Sequence, residues 1–352
     1  MSAQLPAQVD RHNLVAVLRA MIAAAESIAR ERLHRRTAHP AAIPLELWFD
    51  DAADAELNAP RLAAAPPDAQ GAPARIYVLG AAGLGAGALP TWTDTACDAA
   101  EFHAIAAKAG LRAAYPFRAQ EWLALDAAAS VGVQLARATA DLPDWFAGAP
   151  LRQHLHWLLS ARGARIAHAA SVGRDRRGIL LLGHGGAGKS GTALAGIAAG
   201  LQTVGDDYVA LSGLAPAVAR PLFRIVKQDR AGLGRIAGLA ERLAHLPENW
   251  KGKVEFDPTP LFPGCFAEAL QIEAIVLPHI AHAPQPLFEP SSAGEAMRAL
   301  MRSNLYQFPG EPEDGLAYYG MLLRSVPVHR LALSDSAVDN GAALAAFIGD
   351  LR

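Results

Sequence analysis

The chain has 352 residues, 52% of them hydrophobic and 19% charged, with a formal net charge of -2. That length can bury a large core and supports two domains, and the composition excludes a disordered chain. The near-neutral balance gives no ground for nucleic acid as a partner, so any basic site must be local.

Residues 10–35 predict a helix, because Leu14, Val17, Met21 and Ile28 share one face at helical spacing. A short strand is expected at 45–49. Pro66, Pro67, Gly71 and Pro73 then mark a surface loop. The run RIYVLG at 75–80 reads as a strand leading into Gly80-Ala81-Ala82-Gly83-Leu84-Gly85. That turn imitates a dinucleotide-binding loop, but its spacing is GxxGxG and Pro90 interrupts any helix after it, so it reads as a plain turn. A helix near 98–109 and a hairpin made by 121–125 and 130–135 follow.

Asp144, Gly148 and Pro150 suggest a linker. The expected boundary lies near 145, with 1–145 an α+β accessory domain of unassigned role and 146–352 a second domain. Residues 151–161 form an amphipathic helix stopped at Gly163. Residues 165–170 are a short strand candidate carrying His168, a lone histidine in an apolar run. The Pro-rich stretch 280–295 reads as a loop. Helices at 316–323 and 342–348 flank a strand at 328–333. No internal repeat is visible.

Cys97 and Cys265 lack CxxC spacing and read as small apolar side chains. His279 and His282 have Pro278 and Pro284 beside them and no third ligand at a fitting spacing, which argues against zinc. Tyr306, Phe308, Tyr318 and Tyr319, around Glu311, Glu313 and Asp314, read as core plus a surface turn. No positive region followed by an apolar run opens the chain, and no apolar stretch reaches the roughly 18 residues of a membrane span. The expectation is a cytoplasmic protein with no membrane partner.

The strongest signal is Gly183-His184-Gly185-Gly186-Ala187-Gly188-Lys189-Ser190, which fits GxxxxGK[ST] without departure. A continuous apolar run, GILLL at 178–182, precedes it as a buried parallel strand should. A helix is expected from 190 to 199, ended by Gly200. Glycines let successive N–H groups turn inward toward phosphate oxygens, and the helix N-terminus adds its partial positive charge. Lys189 should reach the β- and γ-phosphates of a nucleoside triphosphate, and the Ser190 hydroxyl should hold Mg²⁺. Asp206 and Asp207 end the next strand-like run, 201–205. At the carboxyl end of a strand they would stand beside the loop. One carboxylate could hold the metal and the other could orient or deprotonate an attacking hydroxyl.

These residues together resemble a known family. His168-Ala169-Ala170-Ser171-Val172, the run from Gly178 to Leu201, and VGDDYVAL at 204–211 resemble the catalytic core of HPr kinase/phosphorylase. They are more closely similar to the HPr-kinase-like proteins found beside peptide-modification genes. The resemblance covers roughly residues 150 to 335, and takes in 151–163, PLFRIVK at 221–227, IVLP at 275–278 and SAGEAMRAL at 292–300. It implies a P-loop phosphoenolpyruvate-carboxykinase-like kinase core of the α/β class. Carried over, Asp206 would take the acceptor's proton and Asp207 would partner the metal. His168 would orient the pair, and Arg224 and Lys227 would neutralise the transferring phosphate. Gly191, in the helix's first turn, stands where HPr kinases usually have Glu. It would complete the nucleotide-binding set. The glycine-rich signature that follows the aspartates in HPr kinase is missing, so HPr itself and the phosphorylase half-reaction are not implied. The expected function is an ATP- and Mg²⁺-dependent kinase acting on a hydroxyl, a serine of a peptide or protein. A small-molecule kinase and a nucleotide-sensing scaffold are the alternatives. ATP versus GTP, and self-association into a homo-oligomer, stay open.

Overall fold

The structure, a computed structural model, describes residues 5–64, 71–86, 88–116, 121–142, 144–304, 308 and 312–351. Pro66, Pro67, Tyr306 and Glu311, and the side chains of Glu313 and Asp314, lie outside what is described. The chain is of mixed α/β class and divides into two compact units, residues 1–162 and 163–352.

The first unit is built on a six-stranded sheet. Its strands are β1 (His34–Ala38), β2 (Leu45–Phe49), β3 (Ala74–Gly80), β4 (Leu111–Ala114), β5 (Glu121–Asp126) and β6 (Val131–Ala136). They lie in the order β1-β2-β3-β6-β5-β4. β2, β3 and β6 run parallel; the hairpin β5–β6 and both edges are antiparallel. Helix α1 (Leu14–Ser27) buries Leu14, Val17, Leu18 and Met21 against Trp122, Val131, Val133 and Leu135 of the sheet. The helix expected over 10–35 therefore stops at Ser27, and His34–Ala38 is an edge strand instead. Arg35 and Arg36 of that strand bond Glu46 and Glu56, charge pairs that suit an exposed edge.

Helix α2 (Ala99–Lys108) precedes β4, and α3 (Arg152–Ser160) closes the unit. The division after Arg162 falls later than the expected boundary near 145, because α3 belongs to the first sheet. His154 of α3 is fully buried, and its Nε2 lies 3.2 Å from Ala124 O and 3.1 Å from Val133 O. Carbonyl oxygens only accept, so Nε2 carries the proton and donates to both.

The second unit carries β7 (Arg165–Ala167), β8 (Ala170–Arg174), β9 (Arg177–Leu181), α4 (Lys189–Ala198), β10 (Val209–Ser212) and β11 (Ala217–Pro221). A two-stranded ribbon follows, β12 (Val226–Gln228) with β13 (Val254–Phe256). Then come β14 (Leu270–Ala283), β15 (Leu287–Pro290), α5 (Ala293–Asn304), α6 (Pro312–Ser325), β16 (Val328–Ser334) and α7 (Ala337–Asp350). The main sheet runs β8-β9-β14-β11-β10-β7, with β16 beside β14 and β15 beside β16. β7 and β8 are consecutive in the chain yet stand at opposite ends of that path, so the sheet curls back on itself.

β14 changes neighbours along its length. Its first half pairs with β9 and β11, and its second half with β16. Pro278 lies beyond Val276, the last residue paired to β9, so its missing N–H costs that ladder nothing. The stretch expected to be a loop, 280–295, holds the end of β14 and the edge strand β15; prolines 284, 286 and 290 sit at strand ends or in the turn, where no ladder bond is lost. Parallel β9, β14 and β16 are covered on both faces. Ala193 of α4 with Leu344 and Ile348 of α7 cover Ile179, Leu181, Val276 and Leu331; α5 and α6 cover the other face with Leu300, Leu322 and Leu323. Each of these leucine, isoleucine and valine side chains contributes about 1.5–3 kcal/mol when fully buried. This two-sided burial is why 178–182 reads as an unbroken apolar run.

Candidate functional site

The site is built where β9 ends. Leu181 closes the strand, and the chain then runs through Leu182 and turns through Gly183 to Gly188 before α4 begins at Lys189. Gly186 and Gly188 take positive φ, 85° and 98°, which L side chains rarely adopt. A Cβ on Gly183 would sit 2.8 Å from Ala187 Cβ, so the loop can close on itself only with glycine there. Around Gly185 and Gly186 a Cβ would meet nothing within 4 Å, and both are exposed with His184. The loop is thus open to solvent at its tip and leads into a helix N-terminus.

Lys189 folds over this loop. It is 8% exposed, and its Nζ donates to Gly183 O at 2.7 Å and His184 O at 3.3 Å. Burial lowers its pKa, opposed by the charges of Asp207 and Asp206. Thr192 Oγ1 donates to Gly188 O at 2.8 Å and ties the first turn. Gly191 lies in that turn; a Cβ there would stand 3.3 Å from Gln228 Nε2, a tight fit.

Asp206 and Asp207 do not follow a regular strand. The segment from Leu201 to Gly205 makes isolated bridges, Gln202 to Gly173 and Thr203 to Phe266. Side chains hold it instead: Thr203 Oγ1 donates to Ser171 O at 2.7 Å, Ser171 Oγ accepts from Val204 N at 2.9 Å, and Ser171 N donates to Gly205 O at 2.9 Å. This fixes the acidic pair next to the loop.

The two carboxylates live in opposite conditions. Asp206 is 2% exposed; its Oδ2 accepts from Lys227 N at 2.9 Å, and its Oδ1 is buried with no hydrogen-bond partner. Burial pushes its carboxyl above the ordinary aspartate value, and the Asp207 charge adds to that, while Lys227 N–H, Lys253 and the Ser190 hydroxyl pull the other way. Burial also opposes ionisation of Asp207, but Lys227 and His168 outweigh it and hold that carboxyl well below the usual range. The geometry is direct: Lys227 Nζ lies 2.9 Å from Asp207 Oδ2, and His168 Nε2 lies 2.8 Å from Asp207 Oδ1.

His168 sits in the break between β7 and β8 rather than inside one strand. Its backbone N–H donates to Asn304 Oδ1 at 2.8 Å, and its ring stacks on Tyr208 at 5.2 Å between centroids. Arg224 is turned aside: its Nη2 donates to Thr259 Oγ1 at 3.0 Å and lies 3.2 Å from Asp257. The structure therefore joins Lys189, Ser190, Asp206, Asp207, His168 and Lys227 in one network, and places Arg224 in a neighbouring one.

Sequence reasoning missed two members, Lys253 and Asn304. Lys253 acts on both Lys189 and Asp206. It precedes β13 by one residue, so strand alternation puts it on the face of Glu255, whose Oε1 is 4.0 Å from Lys227 Nζ. Asn304 ends α5 and, 6% exposed, orients His168. A buried Asn at a helix end was the one signal available for it.

Among the described residues, no group of three His, Cys, Asp or Glu could hold a metal by itself. What is present suits magnesium, which is commonly bound through one or two carboxylates together with substrate phosphates. The donor set that fits it is the Ser190 hydroxyl with the Asp207 carboxylate, which His168 and Lys227 hold ionised.

No family model and no curated protein matches the chain. Among solved structures, 98 chains match. One is the HPr(Ser) kinase/phosphatase from Coxiella burnetii, 15% identical, covering 53% of this chain and 93% of that chain, with a TM-score of 0.29. The chain is similar to that protein in part of its length. No helix among the described residues is long and apolar enough to cross a membrane.

Proposed function

We propose that the second unit is an ATP- and Mg²⁺-dependent phosphotransferase that moves the γ-phosphoryl group to a hydroxyl, a serine of a peptide or protein. The observation that carries this reading is one juxtaposition. A glycine loop with a lysine folded across it stands beside two carboxylates of unlike proton affinity.

Phosphoryl transfer asks for positioning and charge stabilisation more than for covalent chemistry. The amides of Gly185, Gly186 and Gly188 and the Lys189 ammonium would hold the phosphates. Magnesium, held by Ser190 and Asp207, would neutralise charge on the phosphate oxygens. Asp206 has raised proton affinity and an unpartnered oxygen, as a group that accepts the acceptor hydroxyl's proton should. His168 and Lys227 keep Asp207 ionised and in place. The resemblance to HPr-kinase-like proteins supports a serine acceptor over a small alcohol.

The test is incubation of the protein with ATP, Mg²⁺ and serine-containing precursor peptides, read by mass. A product heavier by one phosphate on serine is expected, and it should vanish in Asp206→Asn while ATP still binds. ATP binding with no phosphorylated product from any peptide or small alcohol would remove the catalytic reading and leave the nucleotide-sensing scaffold.

A further inference from the structure

The phosphate loop has two unlike flanks. On one side β8 is joined by the segment ending in Asp206 and Asp207, through Ser171 N to Gly205 O and Gly173 N to Gln202 O, 2.9 and 2.8 Å. On the other side stand the carboxyl ends of β14 and β16, parallel to β9. A Cβ on Gly188 would lie 2.6 Å from Leu333 Cδ1 and 3.7 Å from Ile280 Cγ1. Ile280 pairs with Leu333 in register and so shares its face, the face that α4 and α7 cover lower down. Yet Ile280 is 49% exposed. An apolar side chain on a core-facing position is thus left uncovered, against the residue that starts the phosphate-binding helix. Just beyond it, His282 Nδ1 bonds Asp335 Oδ1 at 2.7 Å, both side chains open to water.

We infer that Ile280 is the seat of the nucleoside's base, with the ribose hydroxyls turned toward Asp335. This rests on the triphosphate reading of the loop. The acidic pair and Lys227 mark the flank where the terminal phosphate reacts. A polyphosphate laid across the loop must then put its other end on the opposite flank. There the chain offers an apolar surface for a flat base, and a carboxylate that can accept from hydroxyls. The base is held by surface contact and the ribose by hydrogen bonding, while the loop itself is blind to both.

Binding of Mg²⁺-ATP and of Mg²⁺-tripolyphosphate to the full chain, measured by calorimetry, separates the two parts. Ile280→Ser should weaken ATP about tenfold, the scale expected for losing one side chain's apolar contact, and leave tripolyphosphate unchanged. Ile280→Phe should tighten ATP, by offering a ring to stack on, and again leave tripolyphosphate unchanged. A gain of affinity cannot come from misfolding. Asp335→Asn should weaken ATP more than 2′,3′-dideoxy-ATP. Ile280 variants that leave ATP affinity as it was, or that weaken ATP and tripolyphosphate equally, overturn the inference. A parent protein that binds neither compound overturns the phosphate-loop reading itself.

Discussion

Two glycine-rich turns follow parallel strands in this chain, and they are filled in opposite ways. After β3, Gly80 N donates to Asp50 Oδ2 at 2.8 Å, and a Cβ on Gly83 would stand 1.9 Å from that same oxygen. A carboxylate of the protein already fills this turn. After β9, nothing stands within 4 Å of where Gly185 or Gly186 would carry a Cβ, and the Lys189 ammonium bonds the carbonyls of Gly183 and His184 in the same loop. The first turn brings its own anion; the second leaves the place open and supplies a cation. Glycine spacing alone does not separate such turns. The sign of the side chain that fills them does.

The largest effect is expected where the second turn is stripped of its cation. Lys189→Met should lower phosphoryl transfer roughly 10²–10³-fold, the scale of losing one preorganised charge-stabilising donor. Steady-state kinetics with the peptide acceptor would measure it. A variant that keeps full activity would mean that the two turns do not differ in the way described.

The complementary change in the first turn should harm stability and not function. Gly83→Ala forces a methyl onto Asp50 Oδ2 and should cost about 1–3 kcal/mol, as overpacking does. Urea unfolding followed by tryptophan fluorescence would read it, with ATP affinity of the folded protein unchanged. Loss of ATP affinity in folded Gly83→Ala would assign the first turn a role in nucleotide binding.

How far the sequence carries also differs between the two units. The glycine turn after β9 and the helix α4 were legible because each requirement is local: glycines for positive φ, a hydroxyl and an ammonium at fixed offsets, an apolar strand before them. The hairpin of β5 and β6 was legible for the same reason. His168 could be singled out only through resemblance, since nothing near it in sequence announces Asp207. Lys253 and Asn304 were out of reach. Their places depend on the β12–β13 ribbon and the end of α5 folding back to the loop, contacts made across long stretches of chain. The acidic pair was expected at a strand end; Thr203 and Ser171 hold it by side-chain bonds, which periodicity does not reveal. In the first unit, the Asp50 carboxylate inside the Gly80 turn was invisible for the same reason.

The histidines repeat the contrast on a smaller scale. His168 faces a carboxylate, whereas His154 is buried without a charge partner, and burial lowers its pKa from 6.5 to about 4. The unfolded chain therefore binds a proton below pH 6.5 that the folded chain refuses until about pH 4. Stability should fall as pH falls through that window, by about 1.4 kcal/mol per pH unit at the steepest. His154→Gln keeps a donor for Ala124 O and Val133 O but cannot titrate. Urea midpoints of the two proteins at pH 7 and pH 5 should converge in the variant's favour at the lower pH. Parallel losses in both would show that His154 is not the group responsible.

The smallest effect concerns Asp50 itself. Burial raises its pKa, so the folded state resists its ionisation. The cost begins as pH rises above 3.8 and persists at neutral pH. Asp50→Asn keeps an oxygen for Gly80 N and removes the charge, so at pH 7 stability should stay level or rise by at most about 1 kcal/mol. The same variant sharpens the comparison when combined with Lys189→Met. The first turn would then have lost its carboxylate, yet it still has no lysine and no helix behind it: Pro90 and the short strand Thr91–Trp92 follow. The double variant should bind ATP no better than Lys189→Met alone. A gain over Lys189→Met would mean that a buried anion was all that kept phosphate out of the first turn, and that the cation and helix dipole of the second contribute less than its glycine backbone does.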